Sequence, residues 1–113
     1  MEIIKSLRDC NFVNDFSVVQ HKVFNGGFFL KVKTTLKDQS ILFISEYSDT
    51  NERSYSYHWQ KQNGELIIRW DNSPYHHNFF NFPHHKHVGD SVEPSIEISV
   101  DDVLKYISKV SGK

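Results

Sequence analysis

The sequence predicts an α+β fold: a single two-layer domain over residues 1–113, with an antiparallel meander of about five strands. A C-terminal helix and a short N-terminal helix are expected to pack on this sheet. Three observations predict the class. The chain has 113 residues, enough for one compact domain and too few for two. Its middle alternates apolar and polar residues with period two, and its last segment carries apolar residues at helical spacing.

The composition is that of a folded chain and excludes several classes of protein. Aromatic residues make up 14% of the sequence, which is far too many for a disordered chain. The formal net charge is −1, so composition alone implies no general capture of nucleic acid. The single cysteine, Cys10, can form neither an internal disulfide nor a thiolate metal site. Because the chain lacks a bilayer-long apolar run and a signal peptide, we expect a cytoplasmic protein without a membrane partner.

Short local signals predict the first elements. Three apolar residues share one side of a helical turn near the N-terminus, which predicts a helix from about Glu2 to Asp9. Two strands, Phe16 to Phe24 and Gly27 to Leu36, are joined by Asn25-Gly26, a dipeptide that suits a tight hairpin turn. The expected inner-face pairs are Val19 with Val32, His21 with Leu30 and Val23 with Phe28.

The third strand is predicted at about Ser40 to Ser48, and its register stays open. The turn before it, Lys37 to Gln39, is compatible with two or three loop residues, and a slip of one residue would turn Phe43 to the opposite face. If Glu46 faces inward, its buried carboxylate needs a partner, for which Arg69 or a histidine would serve.

The clearest hairpin is expected from Ser54 to Asp71 around Asn63-Gly64. Its register can be calculated if Gln62 pairs with Glu65. The expected pairs are Trp59 with Ile68 and Tyr57 with Trp70 on one face, and His58 with Arg69 and Ser56 with Asp71 on the other. One face is therefore apolar and aromatic, with burial as its expected role, and the reverse carries imidazole, guanidinium and carboxylate groups.

The pattern changes after Asp71. Asn72 to Pro94 shows neither helical nor strand periodicity and holds all three prolines, so we expect a long histidine-rich loop that packs along the sheet. Phe79, Phe80 and Phe82 are the expected anchors of this loop, because aromatic rings argue against disorder.

The chain is expected to close with an amphipathic helix. Ser99 is its expected N-cap, Asp101 and Asp102 lie in its first turn, and Lys109 lies toward its negative C-terminal end. This helix should cover one face of the sheet. Its apolar side comprises Val100, Val103, Leu104, Ile107 and Val110.

Three runs follow one another in the second half of the chain. They are Tyr55–Gln60 (YSYHWQ), Arg69–His77 (RWDNSPYHH) and Phe82–His87 (FPHHKH), and the amphipathic helix comes after them. In this order they resemble the TumE family of small prokaryotic toxin-antitoxin proteins, over about Gly27 to Lys109. The resemblance implies a toxin that accompanies an antitoxin protein and acts on RNA or another part of translation. It supplies no assigned catalytic residues, so the candidate site is argued from the residues themselves.

General acid-base chemistry is the first interpretation of the histidines. Cleaving RNA without a metal requires a base for the 2′ hydroxyl, an acid for the leaving oxygen and a cation for the phosphate. The candidates are His58, His84, His85 and His87 for proton transfer, Arg69 for phosphate contact and Asp71 for orienting an imidazole. The alternative for the pair of His58 and Arg69 is a satisfied polar contact on a solvated face.

A metal site is the second interpretation. Two or three histidines and a carboxylate can bind zinc, and an extended backbone would aim His85 and His87 to the same side, with His76 and His77 nearby in sequence. The spacing matches no CxxC or HExxH pattern, so we expect neither a metal nor another cofactor.

These observations lead to one expected function and two alternatives. We expect the toxin component of a toxin-antitoxin system, acting as a small metal-independent ribonuclease. The alternatives are a non-enzymatic module that binds RNA or protein, and a metal-dependent nuclease that uses the histidine-rich loop. A cognate antitoxin protein and RNA are the expected partners, a homodimer stays open, and edge strands would offer a docking surface.

Overall fold

The computed structural model describes residues 2–72 and 84–111. The predicted anchors Phe79, Phe80 and Phe82 lie outside these residues. Within them, seven strands form one antiparallel sheet in which each strand pairs with the next along the chain. The α+β class and the two helices are therefore confirmed, but the expected number of strands was too low. The elements are α1 (Glu2–Asp9), β1 (Val13–Phe24), β2 (Gly27–Leu36), β3 (Ile41–Ser48), β4 (Arg53–Gln60), β5 (Leu66–Asp71), β6 (His85–Val88), β7 (Ser91–Pro94) and α2 (Val100–Ser111).

The two additional strands, β6 and β7, lie inside the segment for which the sequence predicted a loop. Val88 pairs with Ser91, so Gly89-Asp90 forms a two-residue turn, and the φ of 58° at Gly89 suits such a turn. Each strand has only 4 residues, and most of them are polar or exposed, so no clear alternation is visible in the sequence. The expectation of a continuous loop from Asn72 to Pro94 was wrong for this hairpin.

The hairpin of β1 and β2 turns at Asn25-Gly26, as predicted, but a bulge changes its register. An irregularity between Val18 and Gln20 adds a residue to β1, so Val18 rather than Val19 faces Val32. The predicted inner face is consequently wrong for Val19, which is 65% exposed. Nearest the turn the predicted pairs are confirmed: Val23 with Phe28 and His21 with Leu30.

A three-residue turn sets the register of β3, which the sequence left open. The N–H of Leu36 donates to the carbonyl oxygen of Ser40 at 2.9 Å, and Gln39 takes a φ of 74°. Alternate residues of β3 consequently face the core, and Glu46 is one of them. Phe43 lies on the opposite face and is 37% exposed.

The core lies between one face of the sheet and the two helices. We call the face of the sheet that packs against the helices the inner face, and the opposite face the outer face. Because the predicted aromatic residues of β4 and β5 are buried in this core, they do not form an exposed stacking platform. Buried members from the strands include Leu30, Val32, Leu42, Ile44, Tyr55, Tyr57, Trp59, Ile68 and Trp70, and those from the helices include Ile3, Leu7, Val103, Leu104 and Ile107.

The expected cap of α2 is present. The N–H of Ser99 donates to the carboxylate of Asp102 at 2.9 Å, and the N–H of Asp102 lies 3.4 Å from Oγ of Ser99. This reciprocal arrangement satisfies two backbone donors at the helix start. The apolar side of the helix contacts the core as far as Ile107, while Val110 is 53% exposed. No helix within the described ranges is long and apolar enough to cross a membrane.

Candidate functional site

The register of β4 and β5 places His58 directly opposite Arg69 on the outer face, as predicted. The turn that joins the strands is longer than expected. Gln60 pairs with Leu66, and the N–H of Lys61 donates to the carbonyl oxygen of Glu65 at 2.8 Å, so the assumed pairing next to Asn63-Gly64 is wrong. A bulge beside Trp59 then restores the predicted register. The remaining predicted pairs are confirmed: Trp59 with Ile68, Tyr57 with Trp70 and Ser56 with Asp71.

The β6 strand extends this polar arrangement by one strand. Arg69 pairs with His87 and Asp71 pairs with His85. His58, Arg69 and His87 therefore form a row across three neighbouring strands, which we call the upper row. The Cα atoms of the two histidines are two strand spacings, about 10 Å, apart with the arginine between them. Asp71 and His85 lie in the next row along the same face.

Asp71 connects the two rows. His85 Nε2 lies 2.7 Å from Oδ1 of Asp71, and His87 Nε2 lies 3.7 Å from Oδ2. Nε of Arg69 donates to the same Oδ2 at 3.1 Å. The side chains of Asp71 and His85 are only 9% and 1% exposed, whereas those of His87 and Arg69 are 28% and 39% exposed. The buried pair can thus orient the two groups that solvent or a substrate can reach.

His58 is held from both ring nitrogens. Its Nε2 lies 3.0 Å from Oε1 of Gln60, and its Nδ1 lies 3.4 Å from Nη1 of Arg69. Because a guanidinium can only donate, Nδ1 is the accepting nitrogen of this arrangement and Nε2 carries the proton that Gln60 accepts. Burial lowers the pKa of His58 below its usual value, the contact with Gln60 raises it, and the positive charge of Arg69 lowers it further. The net shift favours the neutral imidazole.

The structure brings five of the six predicted site residues together and leaves His84 apart. The ring of His84 stacks on Tyr55 with centroids 5.9 Å apart, and its Nδ1 lies 2.9 Å from the tyrosine oxygen. Tyr55 belongs to the buried inner-face core, and burial raises its pKa to about 12. His84 therefore contacts the opposite face of the sheet from His58.

Two other polar residues have structural roles. Asn72 accepts from the N–H of Tyr55 at 2.9 Å and donates to the carbonyl of Arg53 at 2.6 Å, so it links β4 to the end of β5. Glu46 does face inward, but Arg53 is its partner rather than Arg69 or a histidine.

A groove on the outer face adjoins the upper row. It has a volume of about 530 Å³, and its lining includes Lys31, Lys33, Phe43, His58 and Arg69. Ligand sites typically measure about 300–1,000 Å³. None of the described residues that line the groove carries a carboxylate. The protein thus has a local basic surface despite its net charge of −1.

Potential metal ligands converge at the same place. One ligand atom each from Asp71, His85 and His87 lies within 4.8 Å of the others. The histidines His76 and His77, which the sequence also suggested as ligands, lie outside the described residues.

The sequence matches a known protein family over most of its length. The family model described as "Toxin TumE" matches residues 3–111. The chain belongs to the TumE toxin family. The predicted resemblance is confirmed and extends beyond Gly27 to the first helix. No curated protein and no solved structure matches the chain. Membership identifies the toxin component of a toxin-antitoxin system and implies a cognate antitoxin as its partner.

Sequence reasoning did not identify the groove of this TumE toxin. The groove depends on the register of β3, which brings Phe43 opposite both Lys33 and His58. The lysines of this groove, Lys31 and Lys33, lie on β2, and alternation along a single strand cannot show that they share a groove with Arg69 on β5. The role of Gln60 was also missed, since its contact with His58 is a same-face contact two residues along one strand.

Proposed function

We propose that this TumE toxin is a metal-independent ribonuclease that acts on RNA held against its outer face. The observation that carries the proposal is the upper row, in which Arg69 lies between His58 and His87. Two imidazoles on either side of a guanidinium supply the base, the cation and the acid that transfer of an RNA phosphoryl group requires.

His58 is the proposed general base. Its accepting Nδ1 lies next to Arg69, so a ribose hydroxyl can donate to this nitrogen while the adjacent phosphate accepts from the guanidinium. Gln60 holds the opposite nitrogen and thereby maintains the tautomer. The lowered pKa of His58 keeps the ring neutral near pH 7. In the reaction, His58 takes the 2′ hydroxyl proton, O2′ bonds to phosphorus and the bond from phosphorus to O5′ breaks.

His87 is the proposed general acid, which donates a proton to the leaving O5′. It lies on the far side of Arg69 and is 28% exposed, so a substrate can reach it. The carboxylate of Asp71 is 3.7 Å from its Nε2 and is itself fixed by the buried His85. Asp71 and His85 are positioning residues in this proposal. The expected products have a 2′,3′-cyclic phosphate and a 5′ hydroxyl.

The outer-face groove supports an RNA substrate. Lys31 and Lys33 on β2 add positive charge at the other side of the groove from Arg69 on β5. Phosphate contacts of this kind supply most of the affinity for a nucleic-acid backbone. The half-exposed ring of Phe43, 6.0 Å from the ring of His58, can stack with a base. The toxin would meet its RNA in the cytoplasm, where the antitoxin must silence it.

Growth inhibition and RNA cleavage test the proposal together. His58→Ala and Arg69→Ala should each abolish growth inhibition on induction, and the purified variants should lose RNA cleavage measured in EDTA by more than about 100-fold. His21→Ala is the matched control, because this exposed histidine lies on β1 at the distant edge of the sheet. Circular dichroism and thermal melting must show that all three variants are folded.

Two results would reject the proposal. Toxicity that survives both substitutions would show that the site is not required for growth inhibition. Wild-type protein that binds RNA with strong salt dependence but leaves it intact would favour the non-enzymatic binding module instead.

A further inference from the structure

We propose that Asp71, His85 and His87 form a binding site for a Zn²⁺ ion, and that the bound ion inhibits the toxin. The binding step is independent of the proposed ribonuclease function. The inhibition rests on the proposed ribonuclease function, because inhibition requires His87 to be the general acid.

The ligand set has the chemistry that zinc prefers. Two imidazole nitrogens and one carboxylate oxygen are common zinc ligands, and three protein ligands leave a fourth position for water. The three ligand atoms lie within 4.8 Å of one another, and the closest two, His85 Nε2 and Asp71 Oδ1, are 2.7 Å apart. Two ligands of a tetrahedral zinc ion are about 3.3 Å apart when each bond to zinc is about 2.0 Å long. Only small side-chain shifts are therefore needed.

The fold holds these ligands in place before any ion binds. His85 and His87 are alternate residues of one strand and so project to the same face, while Asp71 pairs with His85 from the neighbouring strand. The rings of His85 and His87 are in edge contact, with their centroids 5.1 Å apart. His85 is 1% exposed and Asp71 is 6% exposed, so the site is largely removed from competing water.

Arg69 has two opposing effects on such an ion. Its positive charge lowers cation affinity, but its Nε donates to Oδ2 of Asp71 at 3.1 Å and leaves Oδ1 to face His85. A donor that orients a ligating carboxylate in this way is a common outer contact of metal sites. Monodentate ligation through Oδ1 is the arrangement that this contact favours.

Zinc in this site would remove two groups from the proposed reaction. An imidazole whose Nε2 ligates a metal cannot donate a proton from that nitrogen, so His87 could not protonate the leaving oxygen. Asp71 would also ligate the ion and could no longer position His87 for proton transfer. His58 and Arg69 lie outside the ligand set, so RNA binding should persist while cleavage stops.

Calorimetric titration of the untagged full chain with Zn²⁺ tests the binding step without RNA. We expect one saturable site per chain. The affinity for Zn²⁺ should fall more than about tenfold in His87→Ala, because the loss of even a residue that only contacts a ligand lowers metal affinity about 10- to 100-fold. It should remain unchanged in His21→Ala. His87 is partly exposed, so this variant should fold, which its thermal melt would verify. Absence of saturable binding in folded wild type, or equal binding in His87→Ala, would overturn the site.

Cleavage assays test the inhibition separately. Zn²⁺ at saturation should abolish cleavage and excess EDTA should restore it, with RNA binding unchanged by fluorescence anisotropy. Cleavage that requires Zn²⁺ would overturn the inhibition and leave the site intact. A wild type that binds Zn²⁺ but cleaves no RNA under any condition would overturn the proposed ribonuclease function, and the inhibition with it, without affecting the binding result.

Discussion

His58 and Arg69 lie opposite each other on β4 and β5, with Nη1 of Arg69 3.4 Å from Nδ1 of His58. An arginine aimed at an imidazole acts against protonation of that ring, and partial burial acts in the same direction. Gln60 partly offsets both effects. The contact therefore leaves an accepting nitrogen next to a fixed positive charge, which is the combination that a base acting beside a phosphate needs.

The first prediction concerns the pH dependence of this histidine. The folded-state pKa of His58 lies below its unfolded value of about 6.5. Its contribution to stability is therefore complete above about pH 6.5 and decreases as the pH falls through the folded pKa. The acidic limb of the cleavage profile, along which the rate rises as the base loses its proton, should show the same low midpoint.

An NMR titration of the histidine ring protons checks this prediction. The pKa of His58 should lie below the ordinary histidine value of about 6.5. Arg69→Gln should raise the midpoint of His58, because it removes the positive charge and opens the ring to water. A His58 midpoint at or above about 6.5 would contradict the assignment of a neutral base.

The second prediction concerns Asp71, which accepts from donors on two sides. His85 Nε2 approaches Oδ1 and Arg69 Nε approaches Oδ2. Asp71→Asn must turn an amide NH₂ toward one of these donors, so it should lower the free energy of unfolding by about 1–3 kcal/mol. Urea denaturation measures the change, with the exposed Asp15→Asn as the control. Equal stability of the two variants would show that the carboxylate does not organise the site.

The sequence predicted the strongest local relationships in the site and missed those set by distant strands. The pairing of His58 with Arg69 could be predicted from a single hairpin. The predicted turn was too short, but the bulge beside Trp59 restores the register. Alternation on two long strands is a redundant signal, since every buried aromatic residue specifies the same face.

The position of His85 and His87 could not be predicted with the same certainty. It depends on the pairing of β5 with β6, and the sequence between these strands is too long for the two-residue turn signal that specifies a hairpin. The Gly89-Asp90 dipeptide did carry a hairpin signal. This signal is weak because the flanking strands are short and lack an apolar face, so the polar residues around the dipeptide resemble a loop.

The third prediction concerns Thr34, which is fully buried on the inner face of β2. Among the described residues, its Oγ1 has no hydrogen-bond partner. Valine has nearly the same shape and no hydroxyl to desolvate, so Thr34→Val should raise the free energy of unfolding by about 1 kcal/mol. The half-buried neighbour Thr35→Val should change it by less than about 0.5 kcal/mol. A destabilised Thr34→Val variant in urea denaturation would show that the hydroxyl is satisfied in solution.

The fourth prediction concerns Arg53, whose guanidinium contacts one buried and one exposed carboxylate. It donates to Glu46, which is 9% exposed, and to Glu97, which is 59% exposed, and its Nη2 also lies 2.7 Å from the oxygen of Tyr57. Burial, together with the negative charge of Glu46, raises the pKa of Tyr57 well above its usual value, so the tyrosine stays neutral and donates to Glu46 at 2.8 Å. Arg53 is then the group that balances the buried carboxylate.

Arg53→Met should consequently destabilise the protein strongly, by about 3 kcal/mol, since it leaves the charge of Glu46 buried without its cation. Glu97→Gln removes only the exposed contact with the same guanidinium and should cost less than about 1 kcal/mol. Urea denaturation of the two variants compares the loss of both ion pairs of Arg53 with the loss of the exposed pair alone. Glu46→Gln in the Arg53→Met background should recover a large part of the lost free energy, because it removes the buried charge. Equal losses in the two single variants, or no recovery in the double variant, would contradict the role of Arg53 as the balancing cation.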